Sequence, residues 1–168
     1  MKAKILVAED SQTSLTMVSD LLESHGYQVV AARDGIEAME AVYNERPDLV
    51  VLDVVMPRMN GYQVCRMLKL DEETSHLPVV MLTSRDQPAD QYWGFQTGAD
   101  GYVTKEKPLK MVLETVDAVL KKRDRVASHK PMEFSRRSTS VVDLLSRLND
   151  ILDRKLYEAT ILAEVSKL

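Results

Sequence analysis

Residues 48–61 read D-L-V-V-L-D-V-V-M-P-R-M-N-G, an apolar run closed by Asp53 and followed by a loop punctuated by Pro57 and Gly61. A short apolar run bounded in this way predicts a strand buried on both faces that delivers Asp53 to its carboxyl end. Three other stretches have the same form. K-I-L-V-A at 4–8 is closed by Glu9 and Asp10, P-V-V-M-L at 78–82 by Thr83, and G-Y-V at 101–103 lies just ahead of Lys105. In an open α/β sheet the carboxyl ends of the strands share one edge and face one crevice. Three carboxylates, one hydroxyl and one ammonium therefore meet, which is what a divalent cation and a phosphoryl group need.

Outward from these runs, apolar segments alternate with segments of helical period, the pattern of repeated βα units and a parallel sheet. Five units are predicted, with strands over 4–8, 28–32, 48–52, 78–82 and 101–104. Helices are expected near 11–25, 35–44, 61–69, 88–97 and 108–125. The first and third strands are the most apolar and are expected at the centre of the sheet. Leu15, Val18 and Leu22, then Met39 and Val42, supply sheet-facing stripes at helical spacing.

The chain has 168 residues, 45% of them apolar and 29% charged, within the range of soluble globular proteins. No apolar run approaches the roughly 20 residues that cross a bilayer, and the start turns acidic at Glu9, so a cytoplasmic protein without a membrane partner is expected. Cys65 stands alone, which excludes an internal disulfide and reads as a small core hydrophobe. Charge is unevenly shared: residues 1–120 carry 11 Lys and Arg against 19 Asp and Glu, and residues 121–168 carry 11 against 7. The basic part alternates in sign and has few aromatic residues, so a solvated helical face is expected there and no nucleic-acid partner.

From 125 to 139 the periodicity breaks, which predicts a linker after a domain at 1–124. At Ser140 the S-V-V-D capping box predicts a helix running to Leu168. Its broad apolar face, with Val142, Asn149, Leu156 and Ala163 at one heptad position and Leu145, Leu152 and Ala159 at another, must pack on something. A parallel homodimer through 140–168 is the expected solution, and packing back on its own domain is the alternative. The pattern stops at Leu168 without a cap, which predicts either a shortened chain or a helix that leads into a further domain.

The Glu9-Asp10 pair, D-V-V-M-P-R-M-N-G at 53–61, Thr83-Ser84, and G-A-D-G-Y-V-T-K at 98–105 together resemble a two-component response-regulator receiver domain over residues 2 to about 124. The resemblance implies a flavodoxin-like, doubly wound five-stranded parallel sheet of order 2-1-3-4-5. It also implies a phospho-accepting signalling module rather than an enzyme. Crowded carboxylates repel one another unless a cation joins them, and hard oxygen donors suit Mg²⁺. By the resemblance, Asp10, Asp53 and the backbone carbonyl of Val55 touch that ion, with Glu9 partly through water. Asp53 takes the phosphoryl group from a phosphohistidine, on a histidine kinase or phosphotransfer protein, or from a small acyl phosphate. Lys105 balances charge on the phosphoryl oxygens and the Thr83 hydroxyl binds one of them. Tyr102 turns inward when Thr83 is drawn toward the phosphoryl group.

Two departures and one surface residue complete the reading. Glu106 stands where the family usually has a proline after its lysine, so the loop after Lys105 is expected to be set differently. Val55 and Arg85 occupy positions that influence aspartyl-phosphate hydrolysis in the family, and Val55 has no group to orient a water; a long-lived phosphoryl group is expected. Tyr92, Trp93 and Phe95 fall in one helix, which cannot bury adjacent positions on one side. Trp93 is the candidate for a partner face, with core packing the alternative. A flavin binder on the same sheet would need glycine in the loop after the first strand, and 11–16 have none. A phosphatase of the haloacid type would need an aspartate where Val55 stands.

Overall fold

A computed structural model describes residues 2–84 and 97–127 of the chain. The predicted helix at 88–97 with Trp93, apart from Thr97, which lies in a turn, and likewise Arg85 and the segment 128–168 with its predicted coiled coil, lie outside the described residues. Within them the strands are β1 Lys4–Ala8, β2 Gln28–Ala32, β3 Leu49–Asp53, β4 Val79–Thr83 and β5 Gly101–Thr104. The helices are α1 Gln12–Ser24, α2 Gly35–Glu45, α3 Gly61–Leu70 and α4 Lys110–Ala127. The strands form one parallel sheet in the order β2-β1-β3-β4-β5, the doubly wound arrangement expected.

The sheet is covered on both faces because alternate residues of each strand point opposite ways. Leu6, Val50, Leu52 and Met81 pack with Met39 and Val42 of α2 and Val64 and Leu68 of α3. Ile5, Val7, Leu49, Val51 and Val80 pack with Leu15, Val18 and Leu22 of α1 and Val112 and Val116 of α4. Every residue of β3 and of β4 is buried, which explains runs without polar alternation. Three of the four described helix starts use a side chain that the sequence offers. Ser11 accepts from Ser14 N–H before α1, Asp34 accepts from Ile36 and Glu37 N–H before α2, and Asn60 and Gln63 form a reciprocal capping box before α3.

β3 and β4 sit one residue later than the apolar pattern predicts, and the shift matters for the site. At the start, the Asp48 carboxylate accepts from the Lys4 backbone N–H at 2.8 Å and from Arg123 at 2.8 Å, while Pro78 has no N–H to give to a ladder. At the far end the register pairs Asp53 with Leu82 and Thr83 with Thr104. Asp53 and Thr83 therefore belong to the last rungs of the sheet, held by backbone hydrogen bonds instead of by a loose loop. No helix among the described residues is long and apolar enough to cross a membrane.

Candidate functional site

Five backbone segments meet at the carboxyl edge of the sheet. β1 ends in Ala8 and passes directly to Glu9, whose N–H donates to the Ala32 carbonyl of β2 at 3.0 Å. That bond turns the Glu9 side chain into the edge, where it is 0% exposed and its Oε1 accepts from the Ser11 N–H at 3.2 Å. Glu9 thus also supports the start of α1, the local role that a carboxylate before a helix commonly fills. Asp10 follows on the exposed side, and Asp53 closes β3 with 2% exposure. One carboxylate oxygen from each of Glu9, Asp10 and Asp53 lies within 4.8 Å of the others.

Lys105 answers two of the three. Its Nζ lies 2.6 Å from Glu9 Oε2 and 3.2 Å from Asp53 Oδ2, and its backbone N–H donates to the Thr83 carbonyl at 2.6 Å. The ammonium is thereby fixed by its own main chain as well as by its charge. Burial and then the Glu9 charge push the Asp53 carboxyl up to about 6, although Lys105 and the Val55 N–H pull it the other way. Partial burial favours the neutral form of Lys105, but hydrogen bonds and charges from Glu9 and Asp53 outweigh it, and its pKa stands above the ordinary lysine value. Three carboxylates against one ammonium leave an excess of negative charge on the rim, where Asp10 opens to solvent. A divalent cation fits that excess, and the donors are the hard oxygens that Mg²⁺ prefers.

Thr83 is completely buried at the end of β4. Val55, in the loop after β3, is 50% exposed. Tyr102 faces inward on β5 opposite Met81; its hydroxyl is buried and has no hydrogen-bond partner among the described residues. The described backbone has no cis peptide bond, so the Lys105-Glu106 bond is trans, in keeping with the missing proline. Glu9, Asp10, Asp53 and Lys105 are thus brought into one cluster, with Thr83 beside it at the next strand end.

Two supporting features were not anticipated from the sequence. Asp34 is buried, caps α2, and forms an ion pair with Arg58, which also lies 3.5 Å from Glu37. Arg58 has a left-handed φ of 63° in the loop after Asp53, and this pair ties that loop to α2. The Asp34-Gly35 step ahead of a helical period was the available sign. The second feature is Gly61, the first residue of α3, whose N–H donates to the Val54 carbonyl at 3.0 Å. A Cβ there would run into the carbonyl of Asp53 itself. Gly61→Ala is expected to cost about 2 kcal/mol in urea unfolding, because the helix start must move off the strand that carries Asp53.

Comparison with known proteins gives a consistent picture. The family description "response regulator receiver domain" matches residues 5–117. Protein PilH of Pseudomonas aeruginosa is 42% identical over 118 residues, covering 70% of this chain and 98% of that protein. The alkaline phosphatase synthesis transcriptional regulatory protein PhoP of Bacillus subtilis is 37% identical over 133 residues, covering 79% of this chain but 55% of that protein. This chain therefore spans about half the length of that regulator. Among solved structures, the signal receiver domain of a signal transduction histidine kinase from Syntrophus aciditrophicus superposes with a TM-score of 0.69 at 33% identity, covering 82% of this chain and 99% of that one.

Proposed function

This chain belongs to the response regulator receiver domain family of two-component signalling, and from that premise we propose that Asp53 is its phosphoryl acceptor, working with Mg²⁺. The observation that carries the reading is the cluster of Glu9, Asp10 and Asp53 oxygens within 4.8 Å of one another, with Lys105 bridging the two buried members. Glu9, Asp10, Asp53 and the backbone carbonyl of Val55 are the groups that would hold the ion. When bound, it supplies positive charge to the phosphoryl oxygens in transfer.

The chain's own residues account for the rest. The donor is a phosphohistidine on a histidine kinase or phosphotransfer protein, or a small acyl phosphate. An Asp53 carboxylate oxygen attacks phosphorus; the new O–P bond forms as the P–N bond to the donor imidazole breaks, and the bonding pair leaves with the ring. Such transfers depend chiefly on positioning and on charge neutralisation. Burial at the last rung of β3 positions Asp53, and the main-chain bond from Lys105 to Thr83 aims the ammonium. The Thr83 hydroxyl then binds a phosphoryl oxygen. Because the Lys105 N–H holds the Thr83 carbonyl, a shift of Thr83 moves β4 and β5 together, and Tyr102, whose hydroxyl no described residue holds, is free to change place. Two packings of a filled core provide the bistable element that such a switch requires.

The domain at 1–124 acts as the module. Beyond α4, which takes up 125–127, the rest of the linker expected at 125–139 and the helix at 140–168 carry its state outward through homodimer association, and Trp93 contributes to a partner face. Incubation with radiolabelled acetyl phosphate tests the acceptor reading: label is expected with Mg²⁺ and not with a chelator. After the donor is removed the label is expected to decay slowly, since the apolar Val55 side chain offers nothing to orient a water. Labelling that ignores the chelator would overturn the role of the carboxylate cluster, and rapid loss in Mg²⁺ buffer would overturn the long lifetime.

A further inference from the structure

At the pole of the domain opposite Asp53, where β3 and β4 begin, a cavity of about 330 Å³ opens to solvent. Its apolar wall comes from Val42 and Pro47 at the end of α2 and from Leu77 and Pro78 ahead of β4, with Arg123 of α4 across from them. The polar groups here are already engaged. The Thr74 hydroxyl donates to the Leu68 carbonyl at 2.8 Å, and Arg123 is held by the Asp48 carbonyl at 3.0 Å and carboxylate at 2.8 Å. What the cavity offers is apolar contact, and its size is at the low end of sites that take compact ligands, roughly 300–1,000 Å³. Arg46 and Arg123 stand on its rim against Glu73 and Asp48. Burial, and then the charges of Lys69 and Arg123, hold the pKa of His76 below its ordinary value.

The chain itself contains a matching segment. Arg123 lies about one helical turn before the end of α4, so the backbone leaves the domain beside this cavity. The next stretch, S-H-K-P-M-E-F-S-R-R-S-T-S at 128–140, is polar except for Pro131 and two large apolar residues, Met132 and Phe134. In an extended segment residues two apart share one side, so this spacing suits a pair of anchors. A linker with no packing role has no physical need for such a pair. The seven residues from Ser128 to Phe134 reach at most about 25 Å when extended, ample for a return from the end of α4. Tethering also gives this segment a high effective concentration over any free competitor.

We infer that Met132 and Phe134 seat in the cavity at the amino ends of β3 and β4, so that the chain leaves the domain in a fixed direction from the pole opposite Asp53. The inference does not depend on the phosphoryl chemistry.

Disulfide trapping in the full chain tests it. Glu73→Cys places a thiol on the cavity wall, and Thr13→Cys places one at the exposed start of α1, on the carboxylate pole; each is combined with Ser135→Cys, which leaves Met132 and Phe134 in place. Native Cys65 is buried, and burial pushes its thiol up, so it stays out of the exchange. With oxidised glutathione, the 73–135 bond is expected within one chain at least about tenfold faster than the 13–135 bond. Equal rates would overturn the inference. So would a 73–135 bond found only between two chains, which would assign the cavity to a second copy. Intact mass and non-reducing gels distinguish the two products.

Discussion

Asp53→Asn is expected to abolish labelling by acetyl phosphate in Mg²⁺ and, without a divalent cation, to make the fold more stable than the native protein at pH 7.5. The first effect follows because an amide oxygen carries no charge to attack phosphorus with. The second follows from linkage. The Asp53 carboxyl stands at about 6 in the folded protein against an ordinary 3.8. A group whose pKa is raised by folding stabilises the fold below its unfolded pKa, and that contribution is lost as pH rises through the folded value. Between pH 4 and 6 the native protein should therefore lose stability, on the order of 1–3 kcal/mol by pH 7.5. The Asn variant escapes that loss, and its Lys105 still has Glu9. Urea unfolding at pH 7.5 and at pH 3.5, with and without Mg²⁺, reads the effect. The gap between the two proteins should close in acid and narrow when Mg²⁺ is added to the native form. Label on the Asn variant would refute the nucleophile, and an Asn variant less stable at pH 7.5 would refute the electrostatic account.

Lys105→Met should act in the opposite direction. Glu9 and Asp53 side chains are 1% and 3% exposed, and among the described residues Lys105 is the cation that reaches both. Removing it leaves two buried carboxylates uncompensated, a loss of about 3 kcal/mol at neutral pH even after allowing for the partly exposed lysine. The raised pKa of Lys105 means that its own contribution is present throughout the range below the ordinary lysine pKa and is lost above it. The pH dependence of the variant therefore comes from the carboxylates: the penalty should be full at pH 7.5 and shrink in acid as they take up protons. Mg²⁺ should restore part of the lost stability by supplying charge at the same cluster. A penalty that is the same at pH 3.5 and pH 7.5, or one that Mg²⁺ leaves untouched, would show that Lys105 acts through packing alone. The two substitutions together separate the roles within the cluster, since one removes the burdened charge and the other removes its partner.

Much of this architecture is legible along the chain. The runs at 4–8, 48–53 and 78–83 have no polar alternation because both faces of β1, β3 and β4 are covered, and Leu15, Val18 and Leu22 mark the face of α1 that covers them. Ser11, Asp34 and Asn60 are short polar residues placed where helix starts need acceptors. The strand boundaries are less legible, because Asp48 and Pro78 look local in sequence but are set by Lys4, Arg123 and the missing proline N–H. The same holds for Arg58, whose partner Asp34 lies on another element. Gly61 reads as a helix start, yet its requirement for hydrogen comes from the Asp53 carbonyl against which it packs.

By itself the sequence determined the order of elements, the central strands, and the residue types gathered at the carboxyl edge, because periodicity, caps and run ends are local and strands in one parallel sheet share a direction. Only the tertiary structure decided which of those residues touch. Lys105 reaches Glu9 and Asp53 instead of solvent, Asp53 ends on a hydrogen-bonded rung, and Tyr102 lies inward without a polar partner among the described residues. Those outcomes depend on register and on side chains brought together from distant segments, where burial and charge act through space rather than along the chain.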